Sequence, residues 1–582
     1  MSSTRSSGIV VAVLAALVLL PNLGGAPLWD DDEPRNAACS LAMLRSGDWV
    51  VPTFNGRLRV EKPALVNWLH CAGFVVAGEN ETGARLGSAL LTIGTCLLTW
   101  RIGCLLVDPL VGMWAGVVLA TCLWTGVTGR ASTPDAPLAF FTTLALWAFV
   151  RGSRVPGPGD TGWRSGRVTL SRGWACLVGA ACGLATLTKG PVGCVLPLFG
   201  CGLFAVWQAL LDPGRPAGMV GWLASARTGW RGLRPGWIVA ALVLVAAPWY
   251  LAVSLRTGGE WPARFLLVHN VGRAAAAMEG HSGTPLVYYP IVLLVGTFPW
   301  SLIAALVVLH ARRVTAAEGP GRVGGRLALC WLAAWVVPFS LAGTKLPGYV
   351  WPAYPAVALF VGWFVADWIR RPTAAVDRWM GWAWVLVAAA GVGLVAGFAV
   401  AGPTLAPGAE RLAVIGLVPL AGAATAWWLH AGRLRPAAAA CLAGTACVTI
   451  ATLVAIGPAA IAGSGGMRQV IARLPDGTGS PTAPVAAFAV PPSTVFYAGR
   501  LHPSGTIREL GHPRDVAGLF AAHPDAHLVI DARYAPEVVA VLPPGYGVVQ
   551  SATTLPESRR LLVYGPLPGI AAGSAADLSA LP

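Results

Sequence analysis

Charge is what this chain lacks. Asp, Glu, Lys and Arg make up only 12% of its 582 residues, roughly half of the 25% or so carried by ordinary soluble domains. With 55% hydrophobic residues and a mean hydropathy of +0.64, a single soluble core is excluded. Apolar stretches of about 17–25 residues recur instead, each long enough to cross a hydrocarbon layer of roughly 30 Å. The 12 cysteines contain no C-x-x-C pair, and most, such as Cys104, Cys182 and Cys447, sit inside apolar spans as small hydrophobes. Cys39 and Cys71 fall in the first polar loop, where they can pair on an oxidising side. The polar C-terminal segment has no cysteine and must be held by its own core. There is no internal repeat, no nucleotide-binding motif and no basic stripe interleaved with aromatics. The net charge of +15 therefore does not point to nucleic acid.

What is present is a series of about thirteen apolar spans, near residues 9–23, 85–107, 110–128, 134–151, 174–188, 190–211, 236–255, 286–310, 327–343, 349–369, 380–402, 412–431 and 436–460. Arg5 precedes the first apolar run, which is read as an uncleaved span because Leu23-Gly24-Gly25-Ala26 makes a poor cleavage site. Alternating sides from a cytoplasmic N-terminus puts arginine-rich loops inside: Arg151 to Arg172, Arg215 to Arg234, Arg312 to Arg326, Arg370 to Arg378, and Arg433 with Arg435. That parity is the positive-inside pattern. The tryptophans, 26 in number, suit interfacial belts.

The first outer loop, residues 24–84, breaks the charge rule with Arg35, Arg45, Arg57, Arg59 and Lys62. Two short interfacial helices are predicted in it, one capped by Asp32 and ended by Gly47, the other over Pro63–Ala77 and stopped by Gly78. From about Ala462 the composition shifts to short strands at Val485–Val490, Thr494–Tyr497, His527–Asp531, Val548–Ser551 and Arg560–Tyr564, with a helix over Val516–Ala522. The expected fold is mainly α: a polytopic membrane helical bundle over residues 1–461, followed by a small extracytoplasmic α/β domain over 462–582.

The same topology collects the ionisable residues on the outer side. They are Asp30, Asp31, Asp32, Glu33, Arg35, Glu61 and Lys62 in the long loop; then Arg130 and Asp135, Lys189, His269 and Arg273, and Lys345 with Tyr349. The spans hold few ionisable residues, which disfavours an ion-coupled transporter with midplane charges. Lysine and arginine hold phosphate oxygens, and carboxylates move protons, so a site at membrane depth implies a lipid phosphate. Blander readings exist: caps for Asp30 and Asp31, an exposed ion pair for Glu61-Lys62, and lysines that merely snorkel at span ends.

Several stretches occur in one order: DDDEPRNAACSLAMLRSGDWVVPTFNG, VEKPALVNWL, ARLGSAL, RASTPDAPLAFF, LTKGPVG, HNVGR and GTKLPGYVWPAYPA. Together they cover most of Trp29 to Ala358, and this part of the chain resembles the integral-membrane GT-C glycosyltransferases of the aminoarabinose transferase and protein O-mannosyltransferase superfamily. The resemblance implies inverting transfer of a sugar from a polyprenyl-phosphate donor to a lipid, glycan or protein hydroxyl, with no nucleotide. It implies Asp32 as base, followed by Glu33 and Arg35. Lys62 is implied at the carrier phosphate, with Lys189, Arg273, Lys345 and Tyr349 lining that end and Asp135 nearby. Glu61 and His269 are implied as holders of a divalent metal such as zinc. Val60, Val268 and Ala274 depart from residues common in the family. The implied location is the cytoplasmic membrane, with the site and C-terminal domain outside. A lipid-linked oligosaccharide ligase and a flippase or transporter of lipid-linked sugar are the alternatives.

Overall fold

The computed structural model describes residues 2–29, 31–153, 168–211, 218–272, 284, 286–316, 321–405, 408–462, 467–472, 485–488, 492–500, 507–553 and 560–567. The chain begins with α1 (Ser2–Leu19) and α2 (Asp32–Ser46), a hairpin of β1 (Thr53–Phe54) and β2 (Arg57–Leu58), then α3 (Leu65–Ala77). The long helical stretch follows: α4 (Glu81–Leu106), α5 (Pro109–Ala120), α6 (Leu123–Gly129), α7 (Asp135–Ser153), α8 (Arg172–Lys189) and α9 (Val192–Leu210). It continues through α10 (Gly218–Gly232), α11 (Pro235–Arg256), α12 (Glu260–Leu266), α13 (Tyr288–Gly296) and α14 (Ala304–Ala316). Next come α15 (Gly321–Leu341), α16 (Tyr354–Arg370), α17 (Ala374–Leu405), α18 (Leu417–Ala431) and α19 (Arg435–Ala462). The C-terminal part holds α20 (Met467–Ala472), β3 (Val485–Phe488), α21 (Pro492–Gly499), β4 (Arg508–Leu510), α22 (Asp515–Ala522), β5 (His527–Asp531), α23 (Ala535–Val539), β6 (Tyr546–Thr553) and β7 (Arg560–Pro566).

These elements form two compact units. The first comprises residues 1–23, 60–66 and 85–457, and the second residues 24–59, 67–84 and 458–582. Most of the first outer loop thus packs with the C-terminal segment.

In the first unit, nine helices among the described residues are long and apolar enough to cross a membrane, or eleven when two bent pairs count as one span each. The chain is a multi-pass membrane protein. Each of the thirteen apolar segments read from the sequence is helical, but α1 and α8 do not meet the length and hydropathy of a span, and two others are broken. The segment expected as one span over 286–310 bends by 113° between α13 and the helical turn that leads into α14. Pro299 explains the break: it has no N–H, and the residue before a proline is pushed out of the helical region. The pair α5 and α6 bends by 62°.

The two breaks serve each other. Leu123 N donates to the carbonyl of Phe298 at 2.9 Å, and the Trp300 indole N–H donates to Thr121 Oγ1 at 2.9 Å. Groups released from one helix break thereby find partners in the other, as a water-free interior requires. Close packing elsewhere depends on small residues: a Cβ on Gly362 of α16 would lie 2.4 Å from the Ala115 nitrogen of α5. Arg130 turns back from the end of α6 to donate to the carbonyls of Leu19, Pro21 and Asn22 at 2.8, 2.8 and 2.9 Å, fixing the exit of α1. It is a structural clamp.

The second unit contains a five-stranded mixed sheet in the order β4-β3-β5-β7-β6. β3 runs parallel to β4 and β5, while β7 is antiparallel to β5 and β6. β4 was not foreseen in the sequence. Thr494–Tyr497, expected as a strand, lies instead in α21, where all eight residues are buried. A short apolar run buried all round carries no period to tell helix from strand, and Pro492 and Gly499 bound a helix here. α21 and α2 share one apolar core, with Ala37, Ala38 and Leu41 against Val495 and Phe496. α2 starts at the expected place, but its N-cap is Asp31, not Asp32, and Gly47 ends it at φ 69°. No disulfide joins Cys39 and Cys71; the Cys71 thiol donates to the carbonyl of Ser40 at 3.2 Å.

His70 of α3 is buried in this unit, with Nδ1 3.1 Å from Ser40 Oγ. Burial, aided by the Arg59 guanidinium, pushes its pKa down to about 4. An unfolded chain takes up that proton near pH 6.5. The native state resists it until about pH 4, so the unfolded chain binds more protons between these values. The contribution of His70 is then complete above pH 6.5 and falls by about 3 kcal/mol as pH drops to 4. Thermal unfolding of His70→Gln should show a flatter loss of stability from pH 6.5 to 4 than the parent protein.

Candidate active site

A cavity of about 220 Å³ opens in the first unit, lined by Glu61, Lys62, Lys189, His269, Asn270, Thr344 and Tyr349 with the apolar side chains of Leu138, Val192, Phe265, Phe339 and Ala342. Five residues singled out from the sequence therefore meet here: Glu61, Lys62, Lys189, His269 and Tyr349. They come from separate elements, and each is placed by local chemistry.

Glu61 and Lys62 stand on irregular chain just before Pro63, since a residue preceding proline favours extended backbone. Lys189 is the last residue of α8, and Asp135 the first of α7. Each charge thus sits at the helix end whose dipole favours it. The two helices pack together, and the Lys189 ammonium donates to Asp135 Oδ1. Both side chains are mostly buried, 13% and 18% exposed, so solvent screens this pair little. The ammonium also lies 4.9 Å from the centre of the Tyr349 ring. Gly190 makes the turn possible: its φ is +85°, and a Cβ there would fall 2.5 Å from the Phe265 ring. Gly348 lets Asp135 approach, since a Cβ at 348 would meet Oδ2 at 3.0 Å.

His269 occupies a wide π turn, Leu267–Gly272, that continues α12. The Asn270 amide donates to the carbonyl of Phe265 at 2.8 Å, closing a carbonyl that the widened turn leaves open. Such turns re-aim side chains and recur at functional sites. Tyr349 comes from a 3₁₀ segment, Pro347–Ala353, and packs against Phe339 with ring centres 4.9 Å apart.

Other sequence-chosen residues lie elsewhere. Lys345 is 3% exposed and is not part of the cavity lining. Its ammonium donates to the carbonyls of Phe339 and Ser340 at 3.2 and 3.0 Å and to that of Ala342, capping the end of α15. Asp32, Glu33 and Arg35 belong to the second unit, on the first turn of α2. Asp32 is exposed, whereas Glu33 is buried and accepts from the Trp29 amide at 2.9 Å. The carbonyl of Arg35 and the amide oxygen of Asn36 accept from the buried Arg59 guanidinium at 3.2 and 2.6 Å. Arg273 and Asp30 lie outside the described residues.

Thr344, Asn270, Phe265 and Phe339 were not foreseen. Thr344 and Asn270 adjoin chosen residues in GTKLPGY and HNVGR, which was the available signal; nothing in the sequence marks the two phenylalanines. As to a metal, Glu61 and His269 do share the cavity, but no group of three or more His, Cys, Asp and Glu able to hold an ion occurs among the described residues. Two protein ligands fall short of the three or four of a zinc site, so the fit is incomplete and no step is routed through a metal.

A cavity with two ammonium groups and an apolar wall suits an amphiphile with an anionic head. The dolichyl-phosphate-mannose-protein mannosyltransferase family matches residues 9–261. Undecaprenyl phosphate-α-4-amino-4-deoxy-L-arabinose arabinosyl transferase of Pseudomonas aeruginosa is 31% identical over 390 residues, 66% of this chain and 63% of that protein. This chain is similar to that family over less than half of its length and to that transferase over about two thirds. The enzyme of the same name from Pectobacterium carotovorum is 29% identical over 402 residues, 67% of this chain and 66% of that protein. In both, the match spans just under two thirds of the relative's length. The crystal structure of ArnT from Cupriavidus metallidurans bound to undecaprenyl phosphate superposes with a TM-score of 0.74 at 21% identity, covering 96% of this chain and 97% of that one. The likeness of fold extends over nearly the whole chain, including the C-terminal part.

Proposed function

We propose that this protein transfers a glycosyl group from a polyprenyl-phosphate sugar to a hydroxyl of a lipid, glycan or protein, with inversion, at the outer face of the cytoplasmic membrane. The observation that carries this reading is the cavity that sets Lys62 and Lys189 beside an apolar wall of Leu138, Val192, Phe265 and Phe339. The lysines offer charge-assisted hydrogen bonds to phosphate oxygens, and the wall suits the first isoprene units of a carrier. Asp32 is assigned as base on its place in the Asp32-Glu33-Pro34-Arg35 stretch, which resembles the family's motif of that type.

In the reaction the acceptor oxygen attacks the anomeric carbon as its proton passes to a carboxylate. The bond from that carbon to the phosphate oxygen breaks, and polyprenyl phosphate leaves with the electron pair. Lys62 and Lys189 stabilise the charge that grows on the departing phosphate, an effect larger in a low-dielectric site than in water. The acid–base pair of Asp135 and Lys189 keeps that ammonium aimed over Tyr349 instead of free to rotate. Glu61 and His269 would serve a divalent cation only together with phosphate oxygens.

The test is a purified-protein assay with radiolabelled undecaprenyl-phosphate sugar, the carrier class in the relatives' name. Label appearing on a new acceptor, with free undecaprenyl phosphate in equal amount, is the expected result. Movement of intact donor across a liposome membrane without cleavage would establish a flippase instead.

A further inference from the structure

The proposed reaction makes no use of α10, although its surface is unusual. α10 connects α9 and α11, both long and apolar enough to span, so it begins and ends on one side of the bilayer. At 100° per residue its positions fall into three strips. Gly221, Ser225, Gly229 and Gly232 form the first, and Gly221 and Gly229 are buried. A Cβ on Gly229 would stand 2.7 Å from the carbonyl oxygen of Ala205 in α9, and one on Gly232 2.1 Å from that of Val168. This strip is pressed against the protein.

The next strip carries Met219, Trp222, Leu223 and Trp230, which are 75%, 52%, 65% and 48% exposed. Beyond them come Arg227 and Arg231, also exposed. No Asp or Glu stands between Asp212 and Glu260 in the sequence, so the arginines have no acidic neighbour along this segment. One flank is therefore apolar and rich in tryptophan, while the other carries two arginines and no acid, with Val220 (81% exposed) and Ala224 between and beside them. Water suits the second flank and not the first, while a headgroup boundary suits both.

We infer that α10 lies in the headgroup layer of the leaflet where α9 ends and α11 begins, and that it binds anionic phospholipid there. Trp222, Leu223 and Trp230 enter the acyl region. Arg227 and Arg231 take phosphate oxygens, for which the guanidinium fork is well shaped. The inference stands on α10 alone and does not depend on the transferase reading.

Full-length protein with a fluorophore on Ala224→Cys, an exposed position beside the arginines, is placed in phosphatidylcholine nanodiscs. Quencher is carried on the headgroup of either phosphatidylglycerol or phosphatidylcholine, with the unlabelled-site protein as background. Phosphatidylglycerol should quench at the lower mole fraction, and that preference should shrink about fivefold for each arginine removed in Arg227→Gln and Arg231→Gln. A fluorophore on Leu223→Cys should be quenched by acyl-chain-labelled lipid. Equal quenching by the two headgroups, or a preference that survives the double substitution, overturns the lipid assignment. Absence of quenching at both positions means that water or another protein covers α10, and overturns it as well.

Discussion

Asp32→Asn is expected to lower the transfer rate by about 10²- to 10⁴-fold, the usual worth of a positioned general base. Asparagine keeps the size and hydrogen-bonding shape of the side chain but cannot take a proton from the acceptor hydroxyl. Asp32 is exposed at the start of α2, and asparagine is close to it in size, so folding should be unaffected. The loss should fall on kcat, with binding of undecaprenyl phosphate unchanged within a factor of about two. Single-turnover rates and carrier binding, measured on the same preparation, separate these terms. A variant that retained the parent rate would remove Asp32 from the chemistry. A variant that lost carrier binding in equal measure would make it a binding group.

Lys189→Ala should reduce kcat/KM by roughly 10²- to 10³-fold, the cost of deleting one preorganised charge donor. The reason lies in its partner. Removal of the ammonium discards a ligand for the carrier phosphate and also leaves Asp135, 18% exposed, as an uncompensated carboxylate beside an anion. Breaking a buried pair from one side is costly mainly through the charge left behind. The double variant Lys189→Ala with Asp135→Asn should therefore be more active than Lys189→Ala alone, by about tenfold. Asp135→Asn alone should lose only about tenfold, since the ammonium stays but is no longer aimed over Tyr349. The four proteins form a cycle in kcat/KM for donor. Additive losses would mean that the ion pair has no part in holding the phosphate.

Both predictions concern residues legible in the sequence, yet they were legible for different reasons. Loop charge gave the expected side of the membrane, and the ordered motifs from Trp29 to Ala358 implied the roles. That Glu61, Lys62, Lys189, His269 and Tyr349 surround one cavity could not be read from either, because they are separated by up to 288 positions of helix and loop. Lys345 shows the limit most clearly. Its motif and its position after α15 fit a phosphate ligand, whereas in the folded chain its ammonium turns to the carbonyls that end that helix. A lysine near a helix end has both choices, and only the neighbouring geometry decides between them.

By itself the sequence determined a helical membrane protein and the places where its apolar segments lie, because scarcity of charge and span length are properties of local composition. It also determined the helices α2 and α3 of the first loop, whose ends are set by Gly47 and Gly78. Tertiary structure decided how the breaks at Thr121 and Phe298 are satisfied, each finding its partners in the other across the bundle. It decided that α21 is a helix, since burial on all faces erases the period. It decided that α10 exists at all, since a stripe of glycine and serine pressed on α9 is invisible to hydropathy. Local chemistry fixes what a segment can be; contacts distant in sequence fix what it becomes.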